Sequence, residues 1–192
     1  MKIIYIHGFN SAGYGEKINH LREAFGDENV ITPTLPPNPE KAIKLLEYLV
    51  EKMKDDDLYL VGTSLGGYYA MYLTHKYNVP SIIINLAIKV YESLKDEVGT
   101  QTNYKTNEVY EFKKEYLDYL KSIEVPKAEL KKVKDKIYVY LDEDDELLDS
   151  KETANFFKDF YVKMYPGGNH RFTHMKELIE DMKNNILVKH NK

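Results

Sequence analysis

Ser64 lies in Gly62-Thr63-Ser64-Leu65-Gly66-Gly67, a G-x-S-x-G pattern in which a hydroxyl is the only nucleophile on offer. This spacing suits a serine held at a sharp strand-to-helix turn, because small neighbours avoid clashing with its strained backbone. A bare G-x-S-x-G has few fixed positions, and a plain glycine-rich turn would read alike. The flanks therefore carry the assignment: residues 58–61 read as a strand leading in, and Ala70, Met71 and Leu73 as a helix leading out. Such a helix aims unpaired N–H groups and the positive end of its dipole at developing negative charge.

A serine nucleophile needs a base, and position singles out His170 among the six histidines. It ends Pro166-Gly167-Gly168-Asn169-His170, a turn-forming loop between the last strand-like run and the last amphipathic run. In an open α/β sheet the ligand crevice lies outside the carboxyl ends of the strands, where this loop emerges beside Ser64. His174, in the first turn of the following helix, is the runner-up; His20, His75 and His190 read as surface residues. The acid is expected in the loop after the preceding strand, since triads on such sheets run in the order serine, acid, histidine. That loop, Asp142-Glu143-Asp144-Asp145-Glu146-Leu147-Leu148-Asp149, holds too many carboxylates for composition to choose one. Asp149 and Glu152 form a capping-box-like helix start. Asp142 and Glu143 read as solvent-facing. Asp145 precedes the apolar pair Leu147 and Leu148, which can anchor the loop, a preference that leaves the choice open. The loop lacks the ligand spacing and central glycine of an EF-hand calcium site.

The elements that must position these groups follow from short β-rich runs alternating with longer amphipathic ones, the pattern of a parallel sheet covered by helices on both faces. Strands are expected near 2–6, 29–32, 58–61, 81–85, 136–141 and 160–165. Asn38 and Pro39 start a helix whose apolar face is Ala42, Leu46, Leu49, Val50 and Met53. A last helix after Thr173 carries Met175, Leu178, Ile179, Met182 and Ile186 on one stripe. Residues 89–135 break the alternation. Here a polar stretch from Thr100 to Asn103 precedes a helical run over 108–123 with Val109, Phe112, Tyr116 and Leu120 facing inward, an insertion expected to form a small lid.

Composition sets the class. At 192 residues the chain suits one domain, and 43% hydrophobic with 30% charged residues describes a water-soluble globule. No apolar run nears the roughly 18 residues of a membrane span. A net charge of −4, with lysines and acids interleaved, excludes a nucleic-acid surface. The run Lys131, Lys132, Lys134 and Lys136 reads as a solvated face. With no cysteine, and with a strand where a signal peptide would stand, the expected location is cytoplasmic.

Together the segments Tyr5-Ile6-His7-Gly8-Phe9-Asn10-Ser11, Gly62 to Tyr69, Asp145-Glu146-Leu147-Leu148-Asp149 and Gly167-Gly168-Asn169-His170 resemble the small bacterial esterases of the YqiA/YcfP type, a branch of the α/β-hydrolase superfamily. The resemblance spans nearly the whole chain. It implies that fold: a three-layer sandwich on a mostly parallel sheet of about six strands. It also implies that Asp145 is the acid, completing a Ser64, Asp145, His170 triad, and that the backbone N–H groups of Phe9 and Leu65 form the oxyanion hole. His7 is then a residue that shapes its loop, with Asn10 and Ser11 hydrogen-bonding inside the same turn. Asp144 stands where relatives have glycine, and Asn85-Leu86-Ala87 matches a segment that usually reads Asn-Pro-Ala. The implied activity is hydrolysis of small acyl esters or thioesters through an acyl-enzyme, with no metal or organic cofactor. The partner is a small-molecule substrate, with neither nucleic acid nor membrane; oligomeric state is not legible. Acyltransferases, C–C bond hydrolases and non-catalytic binding proteins share the fold and are the rival readings.

Overall fold

The computed structural model describes residues 1–190. Six strands, β1 (Lys2–Ile6), β2 (Val30–Ile31), β3 (Leu58–Thr63), β4 (Ser81–Ile84), β7 (Ile137–Asp142) and β8 (Tyr161–Tyr165), form one sheet in the order β2-β1-β3-β4-β7-β8. Every neighbouring pair is parallel. β3, β4 and β7 are buried at every position. That is why they read as near-continuous apolar runs rather than alternating ones: both faces are covered.

One face is covered by α1 (Glu16–Phe25) and α8 (Met175–Asp181), which pack Ile18, Leu21, Leu178 and Ile179 onto Ile3, Val61 and Tyr140. On the other face lie α2 (Pro39–Lys52) and α3 (Leu65–Tyr77). As expected, Asn38 caps α2, accepting the Lys41 N–H at 3.0 Å, and Pro39 is its first residue. The expected stripe of the last helix is buried throughout, although α8 passes through a π-helical turn (Met182–Ile186) before α9 (Leu187–His190). Among the described residues no helix is long and apolar enough to cross a membrane.

The strand order reverses at β1: β2 lies to one side of it and all later strands to the other. A crevice therefore opens outside the carboxyl ends of β1 and β3, where their following loops diverge. The chain leaves β1 at His7 and β3 at Ser64, so both loops reach this point.

Between β4 and β7 the structure differs from the sequence expectation. After α4 (Val90–Ser93) come two strands, β5 (Gly99–Thr102) and β6 (Val109–Phe112), paired as an antiparallel hairpin, and then α5 (Lys114–Ser122) and α6 (Lys127–Leu130). The expected helix over 108–123 is therefore a strand followed by a shorter helix. Phe112 and Leu120 are buried as read, but Val109 is exposed. The reason is local: the Asn103 side chain accepts the Lys105 and Thr106 N–H groups, and Asn107 takes a positive φ of 60°, closing a turn that returns the chain along β5. One further short helix, α7 (Ser150–Phe156), links β7 to β8, capped by Asp149 through the Lys151 and Glu152 N–H groups at 2.9 Å each.

Candidate active site

Ser64 joins β3 to α3 with φ 54° and ψ −120°, a conformation that L-residues adopt only when their surroundings impose it. Close packing imposes it here. A Cβ on Gly62 would stand 2.3 Å from the Gly66 carbonyl oxygen, and one on Gly66 would stand 2.0 Å from that of Ile6. Only glycine permits this approach, so the motif's spacing follows from backbone packing. Ser64 donates its N–H to the Ile84 carbonyl at 2.9 Å, tying the elbow to the end of β4. Its side chain is partly open to solvent.

His170 and Asp145 are brought together. The imidazole Nδ1 lies 2.8 Å and 3.0 Å from the two Asp145 oxygens, and the carboxylate is 1% exposed. An acceptor on that side places the proton on Nδ1 and leaves the Nε2 lone pair free to act as a base. Asp145 is aimed by its own loop: its Oδ1 accepts the Leu147 and Leu148 N–H groups at 2.9 Å each. The expected apolar anchoring holds for half of that pair, since Leu148 packs on the core while Leu147 is 69% exposed. Backbone amides, not two leucine side chains, orient the carboxylate.

The Ser64 hydroxyl forms no hydrogen bond among the described residues, with His170 or any other group. What relates the two is Asn85, which follows β4 with φ 42°. Its side-chain N–H donates to the Asn169 carbonyl at 3.0 Å and the His170 carbonyl at 3.3 Å, while its oxygen accepts the Asp142 N–H. The His170 backbone is thus fastened to the end of β4, the strand beside β3. Apo sites often leave the nucleophile–base contact open until substrate is bound.

A second His–Asp pair lies behind the first. His174 Nδ1 sits 2.6 Å from Asp142 Oδ1, and its ring stacks on Tyr165 of β8 at 4.9 Å. β8 is separated from β3 by β4 and β7, which sets this histidine toward the far edge of the sheet. Asp142 is fully buried, contrary to the expectation that it faces solvent. Its Oδ2 accepts the Asn169 N–H, the Thr173 N–H and the Thr173 hydroxyl. Burial removes water, so the carboxylate is satisfied by donors from the His170 loop and its following residues instead. Gly168, at φ 78°, passes so close that a Cβ there would lie 1.9 Å from Asp142 Oδ2. Glu146 completes the frame by accepting the His170 N–H at 2.8 Å, a contact that holds its carboxyl below the usual range. These roles of Asn85, Asp142 and Glu146 escaped the sequence reading, because each depends on contacts 24 or more residues away.

On the other side of Ser64, Gly8 approaches so closely that a Cβ would meet the Ser64 Cβ at 3.3 Å. The Phe9 N–H and the Leu65 N–H, the latter at the first position of α3, have no partner among the described residues. His7 is buried. It donates from Nδ1 to the Gly8 carbonyl and accepts the Leu35 N–H at Nε2, 2.9 Å away. Burial lowers its pKa, keeping it neutral and locked in place, as expected of a loop-shaping residue.

Asn10 departs from expectation. Instead of bonding within its turn, it reaches the β5–β6 hairpin, donating to Gln101 at 3.1 Å and accepting from the Tyr110 hydroxyl at 2.6 Å. Asn103 donates to the Ser11 carbonyl, the Tyr104 N–H to the Asn10 carbonyl, and Phe9 meets Phe112 edge-on at 5.1 Å. The hairpin is therefore fastened to the loop after β1. Between them lies a cavity of about 30 Å³ bordered by Gly8, Phe9, Leu65, Tyr69 and Tyr110. Among the described residues no three His, Asp or Glu side chains are grouped to hold a metal ion.

Comparison with known proteins agrees with this architecture. Est1E from Butyrivibrio proteoclasticus superposes with a TM-score of 0.73 at 18% identity, covering 99% of this chain and 88% of that one. Mouse alpha/beta hydrolase domain-containing protein 10 gives 0.71 at 16% identity, covering 100% and 90%. These likenesses identify the α/β-hydrolase fold. In sequence, the UPF0227 protein PM0825 of Pasteurella multocida is 29% identical over 83% of this chain and 84% of its own length. The UPF0227 protein YcfP of Salmonella paratyphi A is 24% identical over 94% and 96%. Residues 2–186 match the family described as "Uncharacterised protein family (UPF0227)", and the chain belongs to that YcfP/YqiA-type family.

Proposed function

We propose that the chain is a serine hydrolase that cleaves esters or thioesters of small carboxylic acids. In this reading Ser64 Oγ attacks the acyl carbonyl as His170 Nε2 takes its proton, and Asp145 holds the imidazole in the required tautomer. The tetrahedral oxyanion is met by the Phe9 and Leu65 N–H groups, each such donor contributing roughly 3 kcal/mol. His170 then gives its proton to the departing alcohol or thiol, leaving an acyl-enzyme. Water, deprotonated by the same nitrogen, releases the acid and restores Ser64.

The observation that carries the reading is the His170–Asp145 pair: a buried carboxylate 2.8 Å from Nδ1, on loops at the strand ends where the strained Ser64 also stands. Two unpartnered N–H groups beside the nucleophile support it. The small cavity bordered by Phe9 and Leu65 supports a small acyl group. Ser64→Ala tests the assignment. Turnover of a short p-nitrophenyl ester should fall by roughly 10⁵- to 10⁶-fold while the fold and melting temperature are kept. Turnover equal to wild type would remove Ser64 from the mechanism.

A further inference from the structure

Three cationic side chains from separate parts of the chain lie near enough to act on one another: Lys17, Lys105 and Arg171. Lys17 occupies the second position of α1, where the positive end of the helix dipole disfavours a cation. Lys105 is carried by the turn of the β5–β6 hairpin. Tyr14 holds that turn by donating to the Lys105 carbonyl at 2.7 Å, and Lys105 Nζ lies 3.8 Å from where a Cβ on Gly15 would stand. Arg171 directly follows His170. Lys17 is half-buried, and its pKa is lowered first by burial and then by repulsion from Arg171 and Lys105, with Glu16 and Asp142 acting in the opposite direction.

Attraction from Glu16 and Asp142 offsets these costs only in part. None of the three side chains makes an ion pair or hydrogen bond with a described residue. Glu16, Asp142 and Glu146 each have other partners as well. Glu16 lies 3.8 Å from His20, Glu146 accepts the His170 N–H, and Asp142 is occupied by Asn169, Thr173 and His174. A half-buried ammonium set between two other cations, against a helix dipole, is a poor structural choice unless something negative comes to it.

We propose that Lys17, Lys105 and Arg171 form an anion subsite of the candidate active site, and that the natural ester or thioester carries a carboxylate or a phosphate. The substrate class rests on the hydrolase reading of Ser64; the anion subsite itself does not. Recognition by three cations on separate elements selects for charge near the reacting bond. A neutral ester of equal size lacks that contact.

The test compares p-nitrophenyl butyrate with p-nitrophenyl hemisuccinate and with an aryl acetate whose leaving phenol bears a phosphate. At least one anionic ester should exceed the neutral one by roughly tenfold or more in kcat/KM, the size expected of charge-assisted contacts, and the advantage should shrink with salt. Which anion gains separates the carboxylate from the phosphate. In Lys17→Gln, Lys105→Gln and Arg171→Gln the anionic-to-neutral ratio should fall toward one. Lys105 and Arg171 are exposed, so their replacement leaves folding intact.

Binding of inorganic phosphate and of malonate to Ser64→Ala, read by calorimetry, separates the two claims. Anion binding that the glutamine variants weaken, with no ester turned over, would reject the hydrolase reading and keep the subsite. Equal kcat/KM for all three esters, or a ratio the variants leave unchanged, overturns the subsite when esters are hydrolysed. Absence of anion binding overturns it when they are not.

Discussion

Asp145, the acid of the proposed triad, shows how contacts divide similar residues into different tasks. Asp142, Asp145 and Asp149 lie within eight residues at the end of β7 and in the loop after it, and each accepts at least two N–H groups from its surroundings, yet they do different things. Asp149 caps α7, Asp142 braces the His170 loop and His174, and Asp145 faces His170. Asp145→Asn should therefore lower kcat by roughly 10⁴-fold, because the amide favours the wrong imidazole tautomer. Asp149→Ala should leave kcat near wild type and cost about 1 kcal/mol of stability through the lost cap. Steady-state kinetics paired with thermal melting checks both. An inactive, folded Asp149→Ala beside a nearly normal Asp145→Asn would place the acid four residues later. The cap and the strained strand-to-helix turn at Ser64 were legible in sequence because each is defined by neighbours within a few positions. The choice of Asp145 was not, since composition sees eight residues of which six are acidic. It came from resemblance to a family. Asp142 was misread as solvent-facing because nothing local reveals that β7 carries it under the Gly167–Gly168 turn.

Elements differ in how much of their form is written locally. Six parallel strands, α2 and the final helix were legible because burial on one face leaves a period in the apolar residues and burial on both leaves a short continuous apolar run. The β5–β6 hairpin was not. Gly99-Thr100-Gln101-Thr102 alternates only between half-buried and exposed positions, so it carries no hydrophobic signal. The hairpin is fixed instead by distant hydrogen bonds, donating to Asn10 and Ser11 and accepting from Tyr14. The loop between β8 and α8 poses the opposite case, in which sequence marks a turn and the structure explains its glycines. Both Gly167 and Gly168 adopt positive φ, but open space surrounds the first while the second abuts Asp142. Gly167→Ala should cost only the left-handed backbone strain, about 1 kcal/mol, and retain turnover. Gly168→Ala must also displace Asp142, which should move His170 and lower kcat by tenfold or more. Equal kinetics for the two alanine variants would show that this brace does not position the histidine.

At the scale of the molecule, a six-stranded parallel sheet brings the loops after β1 and β3 to one crevice, and the chain between β4 and β7 forms a hairpin that is fastened to the loop after β1 and borders the cavity there. The remaining cavity is small, and we expect specificity to follow from that. Each methylene left in water gains none of the roughly 0.8 kcal/mol available on burial. Across p-nitrophenyl esters from acetate to palmitate, kcat/KM should stop rising once the acyl chain outgrows the pocket; a steady rise to the longest chains below micelle formation would mean that the hairpin opens onto a deep acyl channel. The central claim, that Ser64 is a nucleophile activated by this fold, is reached most directly by intact-mass measurement after treatment with a fluorophosphonate. The account predicts a single adduct, mapped to Ser64, absent from Ser64→Ala and formed far more slowly in His170→Ala than in His174→Ala. No adduct on the folded wild-type protein, or an adduct on another residue, would contradict it.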